Sequence, residues 1–505
     1  MILDRLHVVA ADKSIGEILV NMSEIAFLSA SELADLIRKK EISSVELTQH
    51  YMDRIERLDA GINAVVVRDF EAARKTALAA DKTLADGAKL GPLHGVPMTV
   101  KELYHVAGLP TTFGHPNLVN NVPDWDSDTV AAYREAGAVL LGKTNAPTGG
   151  ADFQTYNEVY GTTNNPWDLK RIPGGSSGGS AAALAAGMTA IEAGSDIGGS
   201  IRNPAHFCGV YGHKPTWGIV SQRGHSPLPQ PGPSTDLVVC GPLARSAEDL
   251  ALLLEIASGP DDINRRGWRL DLPRPKKNRL SDFRVAIWPD DHNAPVDTEI
   301  ADRIESLGET LASLGATVSD TARPDIDQRE SHETYLHLLH SLMAAGVPPK
   351  ARERNMRYAE ATDPDDHSDT AIMSRGMVLS HSDWLGANGR REALRYAWDR
   401  FFFDWDILLC PQMATTAFLH DHTPLSRRTI EVNGQSQPYF QQIFWAGLAS
   451  GPLLPSTVFP SGLSEAGLPI GVQAIGNAFD DYITIDFTRL LAEEIGGFQA
   501  PPALA

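Results

Sequence analysis

The sequence predicts an α/β fold, from three observations: two helix-opening capping boxes near the amino end, short strand-like runs alternating with helical periodicity, and a β-α-β pattern past residue 280. In Ser29-x-x-Glu32 and Ser43-x-x-Glu46 a serine hydroxyl can accept the N–H three residues on while the glutamate returns the bond. Behind these boxes Leu33, Leu36 and Ile37, then Leu47, Tyr51, Ile55 and Leu58, recur at helical spacing. Strands are expected over 64–67, 97–101 and 138–141, alternating with helices near 71–85 and 128–135. Lys101 then closes a strand. Further on, a strand over 283–288, a helix over 298–314 and a strand over 316–318 form the β-α-β unit. Residues 325–400 are polar and helix-rich, carry Pro348-Pro349, and read as a variable helical cover.

Composition narrows the function classes. With 505 residues, 42% of them hydrophobic, the chain can bury a large core. Its net charge of −20 argues against polyanionic partners, and it has no basic stripe interleaved with aromatics, so nucleic-acid binding is not expected. Cys208, Cys240 and Cys410 are too widely spaced for a disulfide framework or a zinc pattern, which fits a reducing, cytoplasmic setting. Asp4, Arg5, Asp12, Lys13 and Glu17 interrupt every early apolar run of export-signal length. With no run of about 18 apolar residues, no membrane span is expected either.

Two glycine-rich serine segments carry the chemistry. Residues 174–180 read Gly-Gly-Ser-Ser-Gly-Gly-Ser and residues 195–202 read Ser-Asp-Ile-Gly-Gly-Ser-Ile-Arg, both downstream of Lys101. A serine hydroxyl is a poor nucleophile until a base takes its proton, and acyl transfer needs N–H donors aimed at the developing oxyanion. Gly198 and Gly199 allow consecutive N–H groups from Ile197 to Ser200 to face one cavity, an oxyanion hole in outline. A flexible Gly/Ser linker is the bland alternative, but helical small-residue sequence follows at 181–186 and Arg202-Asn203-Pro204 closes the second segment. A Ser-His-Asp triad using His206, His213 or His225 is another alternative. It lacks a Gly-x-Ser-x-Gly elbow, because Arg202 stands where the second glycine belongs, so these histidines are expected to be hydrogen-bonded structural residues.

The run from Gly174 to Pro204 resembles the signature segment of the amidase signature family of serine hydrolases. The spacing is similar as well, with 24 positions between Ser176 and Ser200 and 75 between Lys101 and Ser176. Further similar segments lie at 94–102, 142–145, 165–168, 208–216, 406–411 and 467–473, so the resemblance covers about 28–495. One departure is Glu102, where the family more usually has Asp; a carboxylate is kept. The resemblance implies a large mixed β-sheet covered by helices on both faces, with residues 1–27 as an N-terminal extension, 28–495 as the family domain and 496–505 as a C-terminal tail.

The resemblance also implies roles. Ser200 is the nucleophile, Ser176, preceded by a cis peptide, is the bridging serine, and Lys101 is the terminal base, which must be neutral to work. Ile197, Gly198, Gly199 and Ser200 supply the oxyanion hole. Asp196, Arg202, Ser177 and Thr144 support them, and Gly149 and Gly150 border the substrate. The expected reaction is hydrolysis of a small-molecule amide through an acyl-enzyme, with anilides, carbamates and esters as related substrates, no metal or organic cofactor, and a monomer or homodimer as the working form. Trp384, Tyr396, Trp398, Phe401 to Phe403 and Trp445 offer aromatic surface for such a pocket, with core packing as the more ordinary role. Two functions compete with this one: the catalytic subunit of a glutamyl-tRNA amidotransferase, or a non-catalytic binding homologue. Residues 234–246 resemble stand-alone amidases more closely.

Overall fold

Both predicted capping boxes form: Ser29 and Ser43 accept from the N–H groups of Glu32 and Glu46, whose carboxylates return a bond to each serine N–H. The computed structural model describes residues 25–228, 230 and 232–504. Most of the expected extension 1–27 therefore lies outside the described residues. The helices Ala30–Arg38 and Ser44–Ile62 bury Leu33, Ile37, Leu47, Tyr51 and Ile55, the stripe that the periodicity predicts.

Fifteen strands are described. In chain order they are β1 Val65–Arg68, β2 Pro97–Lys101, β3 Val139–Thr144, β4 Tyr156–Asn157, β5 Gly161–Thr162, β6 Glu192–Asp196, β7 Tyr211–Lys214 and β8 Val239–Ala244. They continue with β9 Arg284–Ile287, β10 Thr317–Ser319, β11 Ile407–Pro411, β12 Thr429–Val432, β13 Gln435–Pro438, β14 Ser456–Leu463 and β15 Pro469–Ile475. Eleven of them form one sheet in the order β1-β3-β2-β6-β8-β7-β14-β15-β11-β9-β10. The sheet is mixed: β2 runs parallel to β3 and β6, and β9 parallel to β10 and β11, while the strands between them are antiparallel. Helices cover both faces, so β2, β3, β6 and β8 are buried along their whole length rather than in alternation.

Strand β9, the helix Thr298–Ser313 and strand β10 realise the predicted β-α-β unit. The polar stretch after residue 325 forms the helices Gln328–Met343, Pro349–Ala361, Asp369–Gly376 and His381–Asp404, the last of which leads back into the sheet at β11. The C-terminal tail packs back on the domain, with Phe498 beside Phe27 and the Leu504 carbonyl accepting from Arg54.

Distant parts of the chain are joined by buried caps. Asp249, in the first turn of the helix Ala247–Ala257, accepts from the N–H groups of Ala30 (2.7 Å) and Ser31 (3.1 Å) at the start of another helix. Those donors have no intrahelical acceptor, and the carboxylate also offsets the positive end of the helix dipole. Asp249→Ala is expected to cost about 1–2 kcal/mol in urea or thermal unfolding.

Candidate active site

Parallel pairing brings the two chemical segments together. Strands β2 and β6 are parallel neighbours with Thr99 opposite Glu192 and Val100 opposite Ala193, so both reach the same edge of the sheet, the usual place for sites in α/β folds. Lys101 is the last residue of β2, and Ser195 and Asp196 are the last two of β6. Lys101 Nζ donates to Ser176 Oγ at 2.7 Å and to Ser195 Oγ at 3.0 Å, with the Ser195 carbonyl at 3.5 Å. Nothing in the sequence singles out Ser195 for this place; only the strand register reveals it.

Ser176 sits just before the helix Gly178–Ala185, and the Gly175–Ser176 peptide is cis, as the resemblance implies. Gly175 is required by close packing, since a Cβ there would lie 2.4 Å from the Asp152 carbonyl oxygen. Ser176 and Ser200 line one cavity of about 480 Å³. Among the described residues Ser200 Oγ makes no hydrogen bond, whereas the Ser200 carbonyl accepts from the N–H of Ser177 at 3.0 Å.

Lys101 has no exposed surface, and its Nζ touches hydroxyl and carbonyl oxygens rather than a carboxylate. Removing an ammonium from water without a direct anionic partner favours the neutral amine. Burial accordingly pulls its pKa down to about 7, against an opposing pull from Asp196.

Asp196 and Arg202 are a framework rather than solvated loop charges. Both side chains are fully buried; Arg202 Nε and NH2 donate to the two carboxylate oxygens at 3.1 and 3.0 Å. The guanidinium also reaches Gln473 Oε1 and Ser450 Oγ. Burial alone would raise the Asp196 pKa, but the Arg202 charge and hydrogen bonds outweigh it and hold the carboxyl at about 2. Asp196 in turn accepts from the N–H groups of Gly199 (2.8 Å) and Ile201 (3.0 Å), which folds the loop around it.

This bonding divides the four expected oxyanion donors. The N–H of Gly199 is engaged by Asp196, while those of Ile197, Gly198 and Ser200 have no acceptor among the described residues. Gly199 alone of the two loop glycines has positive φ, at 95°, and a Cβ there would stand 2.2 Å from Asn203 Oδ1. Any side chain at 199 would therefore displace the loop.

The remaining expected residues fall into separate places. Ser177 Oγ meets the Ser195 backbone and Thr144 Oγ1 pairs with Ser180 Oγ at 2.9 Å; neither hydroxyl bonds Lys101 or Ser200, although the Thr144 backbone lies opposite Lys101 in the β2–β3 pairing. Gly149 and Gly150 line the cavity, and a Cβ on Gly150 would sit 3.7 Å from Ser176 Oγ. His206 lies between the Gly471 and Thr415 carbonyls, and His213 between Thr457 and Asp481, so neither reaches a candidate serine. His225 lines the cavity without bonding either serine, and burial drops its pKa to about 3, which keeps the ring neutral.

None of the suggested aromatics from 384 to 445 lines this cavity. Trp398 and Trp445 are fully buried in a core cluster with Phe401 and Phe402, while Tyr396 and Phe403 face solvent. The apolar wall comes instead from Leu103, Phe113, Phe153, Ile197, Leu339 and Phe440. No Lys or Arg is among the described lining residues; the carboxylates there, Asp152 and Asp196, are paired to Arg428 and Arg202. Among the described residues there is no metal-binding cluster of three or more His, Cys, Asp or Glu, and no helix long and apolar enough to cross a membrane.

Arg202→Met would leave Asp196 buried without its counter-charge. The expected loss is about 3–5 kcal/mol of stability, measured as a lowered unfolding midpoint.

Known proteins resemble this chain over most of its length. A family model described as Amidase matches residues 46–485. The chain is 33% identical over 489 residues to a glutamyl-tRNA(Gln) amidotransferase subunit from Moorella thermoacetica, covering 90% of this chain and 94% of that one. Among solved structures, a bacterial aryl acylamidase of the amidase signature family superposes with a TM-score of 0.75 at 25% identity, over 93% of this chain and 96% of its own. A protein from a vestigial complex that bears on the origins of an s-triazine catabolic enzyme gives a TM-score of 0.77 at 29% identity, over 94% of this chain and 99% of its own. With the lysine and both serine segments gathered at one sheet edge and a family match across most of its length, the chain belongs to the amidase signature family.

Proposed function

We propose that the protein hydrolyses the carbon–nitrogen bond of an uncharged small-molecule amide through an acyl-enzyme on Ser200, without a partner subunit. The observation that carries this reading is the 2.7 Å bond between buried Lys101 Nζ and Ser176 Oγ, at the wall of a cavity shared with Ser200. Neutral Lys101 accepts the Ser176 proton as Ser176 takes the proton of Ser200, and Ser200 Oγ adds to the amide carbonyl. The N–H groups of Ile197, Gly198 and Ser200 are the donors for the resulting oxyanion, Gly199 being engaged elsewhere. The proton returns through Ser176 to the leaving nitrogen, the C–N bond breaks, and water attacking by the same relay releases the acid. Carbamates and esters enter the same sequence, differing in the leaving group.

A second reading, the glutamine-hydrolysing component of an amidotransferase, is favoured by the names of the relatives at about one-third identity. The cavity lining speaks against it. Glutamine brings an α-carboxylate, and burying a carboxylate without a cation is costly, yet no Lys or Arg is among the described lining residues. Assay of the purified chain alone on an aryl anilide, an aliphatic amide, a carbamate, an ester and glutamine separates the two. Turnover of neutral amides supports the proposal, and turnover of glutamine alone, or only with a partner present, refutes it.

Ser200→Ala and Lys101→Met are each expected to lower kcat by about 10⁴-fold or more. For the wild type, kcat/KM should rise with pH and level off, with a midpoint near 7, because the productive form of Lys101 is the deprotonated one. A midpoint below 5, as a carboxylate base would give, contradicts the assignment.

A further inference from the structure

Tyr335 belongs to the helix Gln328–Met343 of the cover, far in sequence from both serine segments, yet its Oη donates to the carbonyl oxygen of Ile197 at 3.1 Å. The phenol is almost fully buried and has Ser450 beside it, whose hydroxyl accepts from Arg202 at 2.9 Å. The ring is boxed in: a Cβ on Gly447 would lie 2.7 Å from Tyr335 Cδ1, and one on Gly198 would lie 3.2 Å from Tyr335 Oη.

The contact matters because the C=O and N–H of a trans peptide lie in one plane and point in opposite directions. The Ile197–Gly198 and Gly199–Ser200 peptides are both trans. Tyr335 Oη holds the Ile197 oxygen, so the N–H of Gly198 faces away from the phenol. The N–H of Asn203 holds the Gly199 oxygen at 2.6 Å, so the N–H of Ser200 faces away from that contact. Between them, the N–H of Gly199 is held by Asp196 at 2.8 Å. Alternate peptide planes are thus pinned by their backs, and the N–H groups they leave unclaimed belong to Gly198 and Ser200, both on the cavity wall.

We propose that Tyr335 is a positioning residue for the oxyanion hole: by anchoring the Ile197 carbonyl it aims the Gly198 N–H at the substrate oxygen. This rests on the assignment of Ser200 as nucleophile. It gives the cover a part in catalysis as well as in lining the cavity, since the same helix contributes Leu339 and Leu342 to the wall. A pre-aimed donor contributes more to the transition state than to the ground state, because the substrate carbonyl carries full charge only after attack.

Tyr335→Phe removes the hydroxyl and keeps the ring. The expected result is a kcat about 5- to 10-fold lower, the range that one neutral hydrogen bond commands. KM and the pH midpoint of kcat/KM should stay unchanged. Phenylboronic acid, whose tetrahedral serine adduct places an oxygen in the oxyanion site, should bind more weakly by the same factor. Gly447→Ala, which pushes the ring without removing the hydroxyl, is expected to act in the same direction and tests the contact should Tyr335→Phe fail to fold. Wild-type kcat and boronate affinity in the folded variants overturns the proposal, as does a rise in KM at unchanged kcat, which would make Tyr335 a wall residue only. Ser200→Ala keeps the two levels apart: full activity in that variant refutes the acyl-enzyme reading itself, whereas an inactive Ser200→Ala with an unaffected Tyr335→Phe refutes only the positioning role.

Discussion

Everything at this site depends on one buried amine. Lys101 is held at the end of a strand with no exposed surface and with oxygens of Ser176 and Ser195 as its hydrogen-bond partners. A direct carboxylate contact would lock it as an ammonium, able to donate but not to take a proton. The nearest acid of the loop, Asp196, is instead committed to Arg202 and makes no direct contact with the amine, so its opposing pull acts only at a distance. Desolvation then prevails, and a residue that ordinarily holds its proton far above neutral pH becomes a base near it.

The Asp196–Arg202 pair shapes the loop that carries Ser200. Its carboxylate gathers N–H groups from one side of the Ser200 loop, and its guanidinium ties that loop to Gln473 on β15 and Ser450 after β13. A buried pair of this kind is weak evidence for stability, since both ions lose hydration, but it defines one geometry because either partner alone would be costly. On the proposed mechanism, base and oxyanion loop are set by linked choices: the carboxylate that would hold Lys101 protonated by direct contact is the one that gathers the loop through Gly199 and Ile201.

Much of this was legible in the sequence, for physical reasons. Capping boxes are local and self-contained, so Ser29 and Ser43 declared their helices. Short apolar runs between helical stretches placed β2, β3 and β9 within a few residues. Lys101 and Ser176, which the structure brings within 2.7 Å of each other, were singled out through the glycine-rich serine segments and the family resemblance that these carry. Ser195 was hidden because its contact with Lys101 depends on the β2–β6 register, which no single segment encodes. Tyr335 was hidden because its hydroxyl reaches Ile197 across 138 positions of chain. Of the aromatics of 384–445, Trp398, Phe401, Phe402 and Trp445 take the packing role expected as the more ordinary one and fill a core, while the cavity takes its apolar wall from dispersed residues such as Phe113, Phe153 and Phe440. Aromatic content marks burial, and only the tertiary fold says which side of a wall the ring is on.

The most direct measurement is titration of the Lys101 amine itself, by following the Nζ-adjacent carbon of isotopically labelled lysine by NMR, with Lys101→Met to assign the resonance. A midpoint near 7 is the predicted result. An amine that stays protonated to about pH 10, like a lysine in water, would contradict the account, because Ser176 would then have no base to relieve it of its proton.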